Sequence, residues 1–224
     1  MNAPTNRQPN GGTVLVLAGG EVVSEAVGAT LPQHDFVIAA DSGVLQAEVL
    51  GLTVDLAVGD FDSIPDEALR ELDELDRTER HPEEKDQTDL ELALDAARKR
   101  GAARIVVIGG GGQRTDHALA NALLLTSEAY RDIAMEAHTG DAVLTVVRGR
   151  RELRGALGEL ISLLAVGGHA QGVTTAGLRY SLSDEKLASA STRGVSNEFT
   201  GACAVVEVRD GVLLAVQPTM QEES

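Results

Sequence analysis

A chain of 224 residues with a net charge of −16 has room for one large or two small domains, and it repels polyanions at long range. That excludes nucleic acid and anionic membrane surfaces as partners, though not a nucleotide that arrives with its own Mg²⁺. Trp is absent and aromatic residues make up only 2% of the chain, so Val, Leu, Ile and Ala must build the core, while a lone cysteine, Cys203, excludes a disulfide framework or thiolate metal site and predicts a reducing, cytoplasmic compartment.

Residues 1–12 are polar, lack the apolar stretch of a secretory leader, and read as a disordered lead. No apolar run is long enough to span a bilayer. Short apolar runs then alternate with helical stretches. TVLVLA at 13–18, FVIAA at 36–40, DLAV at 55–58 and RIVVI at 104–108 have the character of strands buried on both faces of a parallel sheet. Helices fit between and after them at 21–30, 42–51, 66–75, 88–100 and 116–130. Thr88 and Glu91 form a capping box, and Ser63-Ile64-Pro65-Asp66 reads as a cap, an early proline and an acid. Gly101 closes the 88–100 helix after Arg98, Lys99 and Arg100.

From about Val143 the helical periodicity fades. LTVV, ELISLLAV, GVTTAGLRYSL and ACAVVEV are β-type runs broken by Gly, Ser and Asp, and Asp210-Gly211 is a hairpin-turn signal. The predicted architecture is an α/β domain over 13–148, with a mainly parallel sheet flanked by helices. A smaller all-β domain, sandwich or barrel, follows over 149–219, and 221–224 reads as a loose tail.

In an open α/β sheet, ligands bind beyond the carboxyl ends of the strands. Here FVIAA runs into Asp41-Ser42-Gly43, DLAV into Gly59-Asp60-Phe61-Asp62-Ser63, and RIVVI into Gly109–Gly112, Gln113, Arg114, Thr115, Asp116 and His117. Lys85-Asp86-Gln87-Thr88-Asp89 opens a helix that a crossover returns to the same rim. Aspartates converging on one rim call for a cation between them, and hard oxygen ligands select Mg²⁺ over zinc. Asp60 and Asp62 are spaced to face one ion. Gly110, Gly111 and Gly112 let backbone N–H groups approach a phosphate, and Arg114 and Lys85 add positive charge. Taken singly, Asp116 and Asp89 also fit helix starts, and Asp86 a solvated charge run; the joint placement is what points to phosphoryl transfer. Neither the P-loop nor the dinucleotide fingerprint is present.

This motif series resembles that of the thiamine pyrophosphokinase family. The matching pieces are Asp41-Ser-Gly, Gly59-Asp-Phe-Asp-Ser63, Lys85-Asp-Gln-Thr-Asp89 and Arg114-Thr-Asp-His117 with Asn121, in the family's order. Thr175–Tyr180 and Gly194–Glu198 resemble its β-domain signatures. The resemblance implies an ATP-binding α/β domain and a β-domain in a homodimer, with pyrophosphate passing from ATP to the thiamine hydroxyl. It places Asp60, Asp62 and Asp89 at the Mg²⁺ and the triphosphate, and Asp86 and Asp116 at polar positions facing substrate, where either would orient the hydroxyl or accept its proton. On the nucleotide side it places Asp41, Ser42, Lys85, Thr88, Gly110–Gly112, Arg114, His117 and Asn121. Ser196, Asn197, Tyr180 and Asp116 fall on the thiamine side. Tyr180 stands where the family often has Trp, and Thr115 where an apolar residue is common. Two alternatives remain at this stage: the same chemistry on a pterin-type hydroxymethyl heterocycle, and a nucleotide-binding regulatory module without turnover.

Overall fold

A computed structural model describes residues 11–62, 64–112 and 114–219, so the disordered lead over 1–10, the cap at Ser63, the loop residue Gln113 and the 221–224 tail lie outside the described residues. The chain divides into two compact units. The first comprises Met1–Leu124 with Asp132–Gly140, and the second Leu125–Arg131 with Asp141–Ser224.

In the first unit the apolar runs become parallel strands: β1 (Thr13–Leu17), β2 (Phe36–Ala40), β3 (Leu56–Gly59), β4 (Thr78–Arg80), β5 (Arg104–Ile108) and β6 (Ala134–His138). Their order is β4-β3-β2-β1-β5-β6, each pair parallel. All five residues of β2 are buried, as expected of a strand covered on both faces. The helices are α1 (Glu25–Gly28), α2 (Val44–Leu50), α3 (Asp66–Glu74), α4 (Asp89–Lys99) and α5 (Thr115–Leu124). Leu15, Leu17, Val37, Ala39, Ala57, Val106 and Ile108 of the sheet form one core with Phe61, Ile64, Leu69 and Leu72.

The capping box forms: Thr88 Oγ1 accepts from Glu91 N at 3.3 Å. Two helices are shorter than the periodicity predicts. The 21–30 stretch yields only α1: the buried Gln46 side chain accepts from Val23 N at 3.1 Å and donates at 3.0 Å to Glu21 O, the carbonyl that a helix from 21 would use. The 116–130 stretch ends at Leu124 and resumes as a 3₁₀ turn over Glu128–Tyr130, with Ser127 Oγ accepting from Ala129 N. β4 and β6 are absent from the sequence expectation; β4 is a three-residue edge strand, and Glu136 and His138 break up the apolar signal of β6.

The second unit is antiparallel: β7 (Ala142–Arg154), β8 (Leu160–Ala165), β9 (Ala170–Ala176), β10 (Glu185–Leu187), β11 (Asn197–Glu198) and β12 (Cys203–Pro218). β7 runs unbroken through 148–149, where the sequence pattern suggests the domain change, and the units part instead at Gly140/Asp141. Val147, Leu153, Ile161, Leu163, Val173, Phe199, Val206 and Leu213 centre its core.

The hairpin expected at Asp210-Gly211 is not formed. β12 passes through it, pairing with β7 along its length while its other edge pairs with β9 over Val205–Asp210 and with β8 over Leu213–Val216. Between Val208 and Leu213 the β12–β7 register shifts, so the turn chemistry bends a strand from one neighbour to the next instead of reversing it. Gly211 has φ +94°, and a Cβ there would lie 2.6 Å from His169 O. Among the described residues no helix is long and apolar enough to cross a membrane.

Candidate active site

The strand order places β1 between β2 and β5, so the chain leaves β1 and β5 at the point where the winding of the sheet reverses, the usual ligand crevice of this architecture. Two glycine loops meet there backbone to backbone. Gly110 N donates to Gly19 O at 3.1 Å, and Glu21 N to Gly111 O at 3.4 Å. Gly20, at φ +107°, approaches so closely that a Cβ would lie 2.7 Å from Gly111 O. Asn121 Nδ2 donates to Gly110 O at 2.9 Å, so its amide braces the loop from α5.

Because β2 and β3 are neighbours, their carboxyl ends bring Asp41 beside Asp60 and Asp62. One carboxylate oxygen from each lies within 4.8 Å of the others, spacing suited to a shared cation. Asp41 is a non-glycine residue at φ +45°, and its buried Oδ1 has no hydrogen-bond partner among the described residues. Burial raises its carboxyl above the usual range; the Ser42 N–H works against this, and Asp89, Asp60 and Asp62 reinforce it.

Lys85 Nζ donates to Asp60 Oδ2 at 3.0 Å and Asp89 Oδ1 at 2.6 Å. The Lys85 bond holds Asp60 below the ordinary carboxylate range, and although burial alone pulls Lys85 down, its bonds to Asp89 and Asp60 outweigh it and leave the ammonium above its usual value. Of the three acids the resemblance assigns to metal, Asp60 and Asp62 thus stand together with Asp41, and Asp89 joins them through Lys85. Ser42 sits in the 3₁₀ turn Asp41–Gly43 with its side chain against Gly19, Thr88 is committed to its cap, and Asp86 is exposed one residue beyond Lys85.

Arg114 and Asp116 pair with each other through two bonds, Nε to Oδ1 at 2.9 Å and Nη2 to Oδ2 at 2.6 Å. The Arg114 bond holds the Asp116 carboxyl far below its usual range, which makes the paired group a poor proton acceptor. His117 and Thr115 are exposed at the start of α5.

In the second unit Tyr180, Ser196 and Asn197 gather around β11. Asn197 is only 3% exposed and its amide is turned inward, with Oδ1 accepting from Tyr180 N and Glu198 N at 2.9 Å and Nδ2 donating to Tyr180 O at 2.8 Å. Tyr180 itself is 58% exposed, with the Arg179 guanidinium 5.5 Å from its ring centroid and Arg179 paired to Glu198. Ser196 is exposed at φ +57°, its N–H donated to Ser162 Oγ at 3.1 Å.

Sequence reasoning passed over Gln46, which lies among apolar neighbours in α2, and Arg80 and His81, which follow from the unpredicted β4. A polar residue in an otherwise buried helix face was the available signal for Gln46.

Residues 27–136 match the family described as "Thiamin pyrophosphokinase, catalytic domain", and residues 147–213 match "Thiamin pyrophosphokinase, vitamin B1 binding domain". A thiamine pyrophosphokinase of Bacillus subtilis (strain 168) is 28% identical over 220 residues, 92% of this chain and 99% of that one. The crystal structure of thiamine pyrophosphokinase from Bacillus subtilis aligns with a TM-score of 0.80 at 25% identity, over 93% of this chain and 100% of that chain. That of thiamin pyrophosphokinase from Geobacillus thermodenitrificans aligns with a TM-score of 0.77 at 25% identity, over 94% and 99%. With both family regions matched in order, and the acid and glycine loops at one sheet edge, the chain belongs to the thiamin pyrophosphokinase family.

Proposed function

We propose that the chain transfers the pyrophosphoryl group of ATP to the hydroxyl of thiamine, giving thiamine diphosphate and AMP. The observation that carries this reading is the pairing of both family regions with an acid cluster, Asp41, Asp60 and Asp62, at the end of adjacent strands. These three acids fit Mg²⁺, since they are hard oxygen donors close enough to share an ion and the buried Asp41 Oδ1 has no partner among the described residues. When bound, the ion neutralises charge on the phosphoryl oxygens.

The remaining work belongs to the chain. The loop is braced at Gly110 by Gly19 and Asn121, the backbone of Gly111 and Gly112 offers N–H groups to a phosphate chain, and α5 begins shortly beyond it at Thr115. Lys85 holds Asp60 ionised, bridges it to Asp89, and brings a positive charge that a triphosphate can share. Arg114 is preoccupied with Asp116 and serves a phosphate only by leaving it. Of the two carboxylates at substrate-facing positions, Asp86 is therefore the better candidate to orient the thiamine hydroxyl and take its proton. Tyr180 and Ser196, both exposed, are the groups of the second unit available to the thiamine heterocycle, whereas Asn197 acts by fixing the Tyr180 backbone.

A homodimer is the assembly this reading implies. Helix α5 buries none of its residues and exposes Leu119 and Leu123, an apolar face for a second copy to cover. A cytoplasmic location suits the free thiol of Cys203.

Incubation with ATP, Mg²⁺ and thiamine, followed by chromatography of the nucleotides and thiamine esters, tests the reaction. AMP and thiamine diphosphate should appear in equal amounts, each dependent on Mg²⁺ and on thiamine. ADP with thiamine monophosphate would mean attack at the γ-phosphorus, and no thiamine ester at all would reject thiamine as the acceptor.

A further inference from the structure

We infer that Arg80 is a positioning residue for the cation-binding loop: its guanidinium, held by Asp73, pins the Phe61 ring and so fixes the backbone that presents Asp60 and Asp62. This rests on the reading of Asp41, Asp60 and Asp62 as the divalent-cation site.

Phe61 lies between the two acids at φ +63°. A bulky residue is disfavoured in the left-handed region and stays there only where its surroundings over-determine it. Three contacts do so here. The ring is buried in the core with Ile64, Leu69 and Leu72. The backbone on its N-terminal side is held from β4, where Gly59 is the register partner of Arg80 and His81 N donates to Gly59 O at 2.9 Å. The Arg80 guanidinium then covers the ring, 5.1 Å from its centroid.

Arg80 is itself fixed. Its Nη2 donates to Asp73 Oδ2 at 2.7 Å, and Thr78 Oγ1 donates to the other oxygen of the same carboxylate at 2.7 Å. Those bonds, Thr78 first and Arg80 second, hold the Asp73 carboxyl below its ordinary range, so the anion that anchors Arg80 is present wherever the enzyme is folded near neutrality. The pair alone would be an ordinary surface ion pair worth little. What distinguishes it is its position: Asp73 comes from α3 and Arg80 and Thr78 from β4, the two elements that follow the acid loop, and they converge on the residue between its two acids.

The test compares wild type with Arg80→Ala, Arg80→Lys and Asp73→Asn, free of nucleotide and thiamine. Mn²⁺ or Mg²⁺ affinity is measured by calorimetry, and amide exchange of residues 60–62 is measured in the metal-free protein. Loss of a cation–π contact of this kind predicts about fivefold weaker cation binding in Arg80→Ala and a similar rise in loop exchange, with exchange in the β1 and β5 core unchanged. Arg80→Lys should recover part of both effects and Asp73→Asn should fall between. In turnover, Arg80→Ala should raise the Mg²⁺ requirement and leave the thiamine KM where it was. Wild-type loop exchange and cation affinity in Arg80→Ala would overturn the inference. A wild-type protein that binds no divalent cation would instead sink the cation-site reading, and the exchange comparison would then decide the clamp by itself.

Discussion

Replacing Lys85 by Met keeps much of the side chain's length and removes the charge between Asp60 and Asp89. Both ion pairs are short, 3.0 and 2.6 Å, and the lysine side chain is 13% exposed against 18% and 26% for its acids. Exposed pairs contribute at most about 1 kcal/mol, while breaking a fully buried one costs about 3–5 kcal/mol. This partly screened bridge falls between, at about 2 kcal/mol. The loss has a specific cause: the acids left behind repel. Asp60 and Asp89 bond the same ammonium, so without it two like charges face each other with no cation between them. A divalent cation relieves the same repulsion, so Lys85 and Mg²⁺ oppose one another, and the variant must bind Mg²⁺ more tightly than the parent. Urea unfolding in EDTA should show a deficit of about 2 kcal/mol for Lys85→Met, shrinking below about 1 kcal/mol when Mg²⁺ saturates. Asp60 would also lose the bond that holds its carboxyl low, so its share of stability would fade at a higher pH than in the parent. An equal deficit with and without Mg²⁺, or none in EDTA, would refute the argument that lysine and metal neutralise one cluster.

Gly20→Ala places a Cβ 2.7 Å from Gly111 O at a φ of +107°, so the two loops must part; the ATP KM should rise several-fold, at a strain of about 1–3 kcal/mol, while the thiamine KM stays put. Burial alone would raise the Glu136 carboxyl, but its bonds to His138 and Arg104 prevail and bring it from 4.5 down to about 2. A depressed acid stabilises the fold above its unfolded value and loses that contribution as pH falls towards the folded one, so on the order of 3 kcal/mol should vanish between about pH 4.5 and 2. Glu136→Gln should flatten that limb in acid unfolding curves. Asn197→Ala strands the Tyr180 N–H and carbonyl that its buried amide satisfies; it should cost about 2 kcal/mol of stability and raise the thiamine KM but not the ATP KM, and an unchanged thiamine KM would detach Tyr180 from the substrate.

The first unit was legible because its information is local. A strand buried on both faces must be a continuous apolar run, and β1, β2, β3 and β5 begin and end within about a residue of those runs. The Thr88 cap needed only side chains within one turn. β6 hid because it carries Glu136 and His138 at alternate positions, and Glu136 finds His138 and Arg104 as partners only after the sheet forms. Asp210-Gly211 misled for a related reason. The glycine's permitted positive φ serves a reversal and a bend equally, and which one occurs depends on β8 and β9 lying along the same edge of β12.

The candidate site divides along the same line. Sequence spacing put acids, glycines and cations just after the strands, and in a parallel sheet those ends share one edge. It had no means of choosing among them. Asp41 and Asp89 are both candidates in one dimension; β2 lies beside β3, so Asp41 comes within reach of Asp60 and Asp62, while Asp89, at the start of α4, comes within reach of Lys85. Likewise Arg114 and Asp116, two residues apart, are each good site residues until the loop lets them satisfy each other. Asn197 carries the lesson furthest. As a polar residue in a motif it reads as a ligand, yet with its amide spent on the backbone of Tyr180 and Glu198 it has no acceptor left for a substrate, and the exposed ring it steadies is the surface that remains. Residue type marks where chemistry gathers; the hydrogen-bond ledger of each group decides whether it meets the substrate or holds the one that does.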